Sequence, residues 1–392
     1  MIKALTAFTY EADDAKDAVE EILKQLDLEH NLLKYSVGFI TCYLDFIKGG
    51  IVEALCADLP FEVIGCTTPM NGGPKAGDQI LLTLMVLTSD STEFATGISQ
   101  PLTNQSGDEY NLLFSDLFKE TSSKISTKTE LIIASHPFVV GFNWQAMSES
   151  LGRTGGNIPV FGTIALDVDI NLREPLVIFN GKCYPDRMAI IAAGAGINPR
   201  FFSNSFSIEN TIVQDAVITE ADGVRLIGIN NIPAAQYLEK LGLVQDGIVT
   251  NGNIAIFIAV AVDLLDGTPP RIGQFYHLDE EGAVICSREF PVGGIISIGA
   301  LTHEEVMETT EEFINQIRAN ENKNLLLLFS CFSRKIVLRN PTDELDLVNK
   351  KLDVLDIPYL FAYSGGEICP LYNQNNKIVN ASHVFSIIGV LF

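Results

Sequence analysis

Two patterns of apolar residues alternate along the chain. Short unbroken runs recur at Tyr35–Tyr43, Phe61–Cys66, Leu131–Ala134, Val160–Ala165, Met188–Ala193, Leu325–Cys331, Pro358–Tyr363 and Phe385–Phe392. Runs of this length, rich in Val, Ile, Leu and Phe, read as strands buried on both faces. Between them lie segments with apolar residues three and four apart. Asp14–Gln25 places Ala15, Ala18, Val19, Ile22 and Leu23 on one helical stripe, with an aspartate before it to cap the start. His303–Ala319 is a second such helix: Thr302 precedes it, Glu304 and Glu305 sit in its first turn and Arg318 near its end.

The remaining elements follow in order. Residues 2–10 and Gln79–Leu87 read as strands, the latter entered through a turn at Asn71-Gly-Gly-Pro74, and helices are expected over Phe46–Asp58, Asp108–Lys119 and Phe142–Ser150. Leu176–Phe179, Asn180-Gly181 and Met188–Ala193 read as a hairpin through a type I′ turn. Residues 194–205 mark a candidate boundary between regions 1–205 and 206–392. Beyond it come a hairpin over Ile218–Ile229, a helix over Pro233–Leu241 closed by Gly242, a strand at Ile254–Val262, a hairpin through Asp279–Gly282, and a strand at Ile295–Ala300.

One unit occurs three times. Val37-Gly-Phe-Ile-Thr41-Cys42 leads through a helix to Pro60-Phe-Glu-Val-Ile-Gly65-Cys66-Thr67-Thr68. Leu131-Ile-Ile-Ala-Ser135-His136 leads to Pro159-Val-Phe-Gly162-Thr, and Leu326-Leu-Leu-Phe-Ser330-Cys331 to Pro358-Tyr-Leu-Phe-Ala-Tyr-Ser364-Gly365-Gly366. Each copy reads strand, small hydroxyl residue, Cys or His, helix, Pro, strand, tight turn, and each is followed by another apolar strand. A crossover of this length pairs its two strands in parallel. The fold class is therefore α/β or α+β, with layered mixed sheets, flanking helices and pseudo-repeated strand-helix-strand units.

Composition narrows the partners. The 392 residues carry 26 Lys and Arg against 49 Asp and Glu, a net charge of −23, with 47% hydrophobic residues. Mean hydropathy is +0.23. Such a field repels phosphate backbones and anionic lipid, so neither nucleic acid nor a membrane surface is an expected partner. The low charged fraction fits extensive layering or oligomer contacts. Seven cysteines, an odd count without a C-x-x-C, argue against a disulfide framework or a zinc knuckle and fit reduced thiols in a cytoplasmic protein. No basic leader with a following apolar run opens the chain, and no uncharged apolar run reaches membrane-spanning length.

The repeat sets Thr41, Cys42, Ser135, His136, Ser330 and Cys331 at equivalent strand ends, facing the turns that hold Cys66, Thr67, Thr68 and Ser364–Glu367. Converging, these residues form a small-molecule site. Glu367, beside two glycines, suits a ligand ammonium; the hydroxyls of Thr67 and Thr68 suit a carboxylate; Arg334 offers a bidentate clamp or else pairs with a protein acid. Cys66 or Cys331 with His136 or His383 would make a thiol hydrolase, although no nucleophile signature surrounds them. His136 is the one histidine whose setting suggests an axial ligand, should haem bind. No other histidine arrangement suggests a metal.

The ordered set Val37-Gly-Phe-Ile-Thr-Cys, Phe61-Glu-Val-Ile-Gly-Cys-Thr-Thr, Asp78–Leu87, Asp222-Gly-Val-Arg-Leu, Pro233–Gly242, Phe329-Ser-Cys-Phe-Ser-Arg and Tyr363-Ser-Gly-Gly-Glu-Ile-Cys-Pro resembles the FIST family of sensory domains across nearly the whole chain. The resemblance implies an N-terminal FIST region over 1–205 and a C-terminal one over 206–392. It implies a non-enzymatic module of signal transduction that binds a small ligand, an amino acid or related metabolite, with no cofactor. The alternative it brings is a haem-binding nitric oxide sensor. No kinase, cyclase or methyl-accepting segment accompanies these regions, so output is expected through a separate signalling protein. Asn380-Ala-Ser-His383 stands where a polar Asn/Thr-rich lead into the last strand is expected.

Overall fold

The computed structural model describes residues 2–77, 81–102, 107–138, 147, 150, 153–154, 156–167, 174–206, 211, 213–245, 248–249, 257–263, 267, 270–320, 325–355, 357–375 and 377–392. Three six-stranded sheets share one plan. In the first half of the chain the strands are β1 (Ile2–Thr9), β2 (Tyr35–Cys42), β3 (Val63–Thr67), β4 (Asn71–Gly73), β5 (Ala76–Gly77), β6 (Leu82–Ser89), β7 (Phe94–Ile98), β8 (Leu131–His136), β9 (Val160–Ile164), β10 (Val177–Phe179), β11 (Lys182–Tyr184), β12 (Ala189–Ala193) and β13 (Arg200–Asn204). An added sheet follows, from β14 (Val213–Asp222), β15 (Arg225–Ile229), β16 (Ile232–Pro233), β19 (Phe257–Asp263), β20 (Arg271–Leu278), β21 (Val284–Cys286) and β22 (Ile295–Leu301), with β17 (Val244–Gln245) and β18 (Ile248–Val249) as a separate ribbon. The chain closes with β23 (Leu326–Cys331), β24 (Tyr359–Ser364), β25 (Glu367–Tyr372), β26 (Ile378–His383) and β27 (Ile387–Leu391).

The strand orders are β1-β6-β2-β3-β10-β11, β7-β12-β8-β9-β25-β26 and β13-β27-β23-β24-β4-β5. The repeat read in the sequence is therefore present: β2–β3, β8–β9 and β23–β24 are the parallel pairs, and β6, β12 and β27 are the strands that follow each copy. Each unit then sends a hairpin away. β4–β5 extends the third sheet, β10–β11 the first, and β25–β26 the second. The donation runs in a ring, and strands from both sides of residue 205 share sheets.

Alternation along the strands divides the core. Val37, Phe39, Ile133, Phe161, Leu327 and Phe329 face a common centre, where the Phe329 ring lies 5.7 Å from Phe39 and 5.5 Å from Phe161. The intervening residues, such as Ile40, Ile132 and Leu328, pack under outer helices. Gly65 and Gly162 occupy equivalent sites where β3 and β9 press on the neighbouring strand: a Cβ would sit 1.8 Å from the Ile40 carbonyl oxygen and 2.3 Å from that of Ala134.

Several expectations change. Asn71-Gly72-Gly73 is a strand paired with β24 rather than a turn, because its backbone finds partners in another unit. The helix over Phe46–Asp58 is two, Leu44–Lys48 and Ile51–Asp58, since Gly50 takes a φ of 72°. Asn180-Gly181 does turn a hairpin, both at positive φ, but its second strand is β11, while β12 joins another sheet. Most of the helix expected over Phe142–Ser150 lies outside the described residues, as do Gly152 and the start of the strand expected at Gln79. No helix among the described residues is long and apolar enough to cross a membrane.

Candidate functional site

The three crossover turns meet at one end of the common centre and are stitched to one another. Leu166 N–H donates to Thr67 O at 3.0 Å, Gly365 N–H to Ile164 O at 2.9 Å, and Tyr363 N–H to Met70 O at 3.0 Å. The Thr68 hydroxyl lies 2.8 Å from the Tyr363 carbonyl and 2.9 Å from that of Met70, and donates into that pair. Ser135 Oγ donates to Gly65 O at 2.7 Å, and Asn71 Nδ2 to Thr41 O at 2.8 Å. The expected strand-end residues thus do gather, but their hydroxyls are largely spent on the protein's own backbone.

Glu367 is the exception. It opens β25, opposite Thr163 on one side and His383 on the other, and is fully buried. Neither carboxylate oxygen closes a hydrogen bond with any described residue. Ser364, the Ser386 N–H and Cys331 are its near polar neighbours, yet the Ser364 hydroxyl already donates to Gly366 O at 2.5 Å. Burial pushes the Glu367 carboxyl well above the usual carboxylate range, with Ser364 and the more distant Arg334 charge opposing. Gly365 and Gly366 give the turn its close approach: a Cβ on Gly366 would lie 2.7 Å from Ile164 Cδ1.

The other candidates are placed differently. Arg334 is fully buried on the short helix Phe332–Val337 and pairs with Glu344, Nη2 to Oε1 at 2.8 Å. It also donates to Val306 O, the hydroxyls of Thr309 and Thr310, and Phe385 O. Of the two roles open to Arg334 in the sequence, the pairing with a protein acid is the one seen, and that acid is internal. Ser330 faces outward and donates to Glu344 at 2.9 Å. Cys42 lies under the outer helices, while Cys66 faces the common centre. Thr67 Oγ1 accepts from Leu176 N–H at 2.9 Å. His136 Nδ1 lies 2.6 Å from Pro137 O, and burial holds the ring down to about 4. Burial raises all seven thiols, Cys66 and Cys331 to about 12, which is the opposite of nucleophile activation.

A small cavity of about 190 Å³ lies where the added sheet meets the core. Ser203, Ser205, Arg271, Leu371, His383 and Ser386 are among its lining residues. Arg271 is 4% exposed. Packing joins this seam to the turn: Cys331 and Phe385 share an apolar cluster with Ile272 and Leu301. Phe385 holds a φ of 59°, the left-handed region that a bulky side chain rarely enters, and Arg334 Nη1 lies 3.3 Å from its carbonyl. Arg334 therefore braces the link that carries His383 and Ser386. Sequence reading missed Arg271, which follows Pro269-Pro270 in a segment that looks like a loop. It also missed Ser386, which looks like part of the last strand.

Haem does not fit the described residues. The cavity that His383 lines falls below the roughly 300 Å³ at which cofactor-sized sites begin. No group of three or more His, Cys, Asp or Glu among the described residues could hold a metal ion.

A comparison with curated proteins finds no match. Among solved structures, a cyanuric acid hydrolase from A. caulinodans aligns over 100% of this chain and 99% of its own at 7% identity, with a TM-score of 0.36. The FIST N domain matches residues 36–232 and the FIST C domain residues 232–370. Together they run from β2 to the start of β25 and include the added sheet, and the chain belongs to the FIST family of sensory domains.

Proposed function

We propose that this FIST protein is a sensor whose ligand is an amino acid or a closely related metabolite, received through its ammonium group by Glu367. One observation carries the reading. A carboxyl group is buried where three turns meet, and neither oxygen has a hydrogen bond among the described residues. Leaving such a group unsatisfied costs on the order of 1–3 kcal/mol, and a donor-rich cation would offset that cost. Nothing in the site activates a nucleophile, so the reading is one of binding, with output through a separate signalling protein.

Thermal unfolding across a panel of the common amino acids tests it. At a concentration about a hundredfold above Kd, a ligand adds roughly 2.7 kcal/mol, a shift of several degrees for a chain of this size. Glu367→Gln is expected to abolish the shift, and Gly366→Val to weaken it by driving the turn onto Ile164. A panel that never moves the midpoint, or a Glu367→Gln variant that responds like the wild type, removes the reading.

A further inference from the structure

The helix Gly107–Ser122 lies across β7, the outer strand of its sheet, and presents two unlike faces. Tyr110, Phe114, Leu117 and Thr121 recur three and four residues apart and turn inward. The first three join the apolar cluster over β8 and β12, and Thr121 comes so close to β7 that a Cβ on Gly97 would lie 1.9 Å from its Oγ1. The outward flank is different. Leu112 is 65% exposed, and Asp116 and Glu120, both exposed, follow it at i+4 and i+8. Eight residues of helix carry this stripe over about 12 Å. Between the stripe and the strand end at Ile98 runs a groove of about 390 Å³, with Leu113 and Leu117 also in its lining.

We propose that this groove docks a basic amphipathic helix of a separate protein, which sets apolar residues against Leu112, Leu113 and Leu117 and Lys or Arg against Asp116 and Glu120. Charge complementarity selects that occupant. Neither Asp116 nor Glu120 is paired with a cation among the described residues. A second copy of this chain would bring the same two carboxylates and a net charge of −23, and nucleic acid or anionic lipid is repelled for the same reason. Strand addition is closed off, because the free edge of β7 is in use: Lys124 Nζ donates to Thr96 O at 2.8 Å and the Thr96 hydroxyl to Glu62 at 2.7 Å. A helix laid in a groove is the remaining mode, and its apolar anchors would repeat at the spacing of the stripe it faces. The inference goes beyond the ligand reading and gives the separate signalling protein a place to bind. That place is one packing layer from the ligand carboxylate: Ile368, next to Glu367, belongs to the cluster beneath the helix.

The probe is a fluorescent synthetic peptide of leucine and lysine patterned as an amphipathic helix, titrated with the full chain at about 0.15 M salt and without any amino acid. A peptide of the same composition, its leucines scattered around the helix, controls for charge alone. The patterned peptide is expected to bind saturably and about tenfold or more tighter than the scattered one. Leu112→Asp separates docking from attraction at a distance. The added negative charge would strengthen purely electrostatic binding, whereas loss of the apolar contact is expected to weaken the patterned peptide about tenfold. Asp116→Lys with Glu120→Lys is expected to weaken it as well and to flatten its salt dependence. Val354→Asp, at an exposed apolar residue elsewhere, is expected to leave affinity within about twofold. Equal affinity for the two peptides, wild-type affinity in Leu112→Asp, or no saturable binding overturns the proposal. A wild-type dimer in sedimentation that Leu112→Asp dissolves also overturns it, by giving the groove to a second copy. An amino-acid panel without a thermal shift removes the ligand reading and leaves the peptide result unaffected.

Discussion

At the scale of single residues, the buried ionisable groups pull stability in opposite directions as pH changes. His136 and His383 titrate near 4 in the folded chain against about 6.5 for a free imidazole, so the unfolded state binds more protons between those values. Their stabilising contribution is full above about 6.5 and is lost as pH falls towards 4. Glu367 behaves in reverse. Its folded carboxyl is raised above the unfolded value of about 4.3, so its contribution is full below that value and is lost as pH rises through the folded one. Urea unfolding of wild type and Glu367→Gln between pH 5 and 8 checks this. The variant is expected to gain on the wild type by up to about 1.4 kcal/mol per pH unit, whereas His383→Asn gains only on the acid side. A difference independent of pH would show Glu367 ionised in the fold. Glu367 could be singled out in the sequence because two glycines precede it, but its isolation could not. The partner of Arg334 was hidden for a related reason: Glu344 sits in an acidic helix start, Asp343-Glu344, that reads as solvated surface.

At the scale of elements, the repeat was legible because strands buried on both faces leave continuous apolar runs. The hairpins exchanged between units were not. A strand such as Asn71-Gly72-Gly73 carries no propensity of its own and is specified by β24, nearly three hundred residues away. Gly65 and Gly162 show the same tertiary control. Each follows a valine and a larger apolar residue in its copy of the repeat, and both lie where a strand meets its neighbour's carbonyl. Gly65→Ala is expected to cost about 3 kcal/mol or more, because the obstructing atom is backbone and cannot swing aside. The urea midpoint measures it. Gly223→Ala is the comparison, since a Cβ there meets nothing within 4 Å and only its φ of 57° is unfavourable.

At the scale of the whole molecule, the ring of exchanged hairpins ties the halves together. Residues 1–205 contain every strand of the first sheet, but leave β9 without β25 and β13 without β27. Residues 206–392 leave β24 without β4. Expressed separately, neither fragment is expected to unfold cooperatively, while co-expression is expected to yield a complex that co-purifies. A 1–205 fragment with the full chain's unfolding midpoint would contradict this. The exchange has a further consequence for motion. The amides of Tyr363, Ile164 and Gly365 are bonded across unit boundaries, so none can open without separating strands that different units contribute to one sheet. Their protons should exchange with solvent only through global unfolding, among the slowest in the protein. The axis of the molecule is then a fixed post. What remains able to answer a ligand is the added sheet, held at the seam by Arg288, whose Nη2 donates to Ser382 O at 2.7 Å, and a small apolar cluster, and its amides are where occupancy should be read.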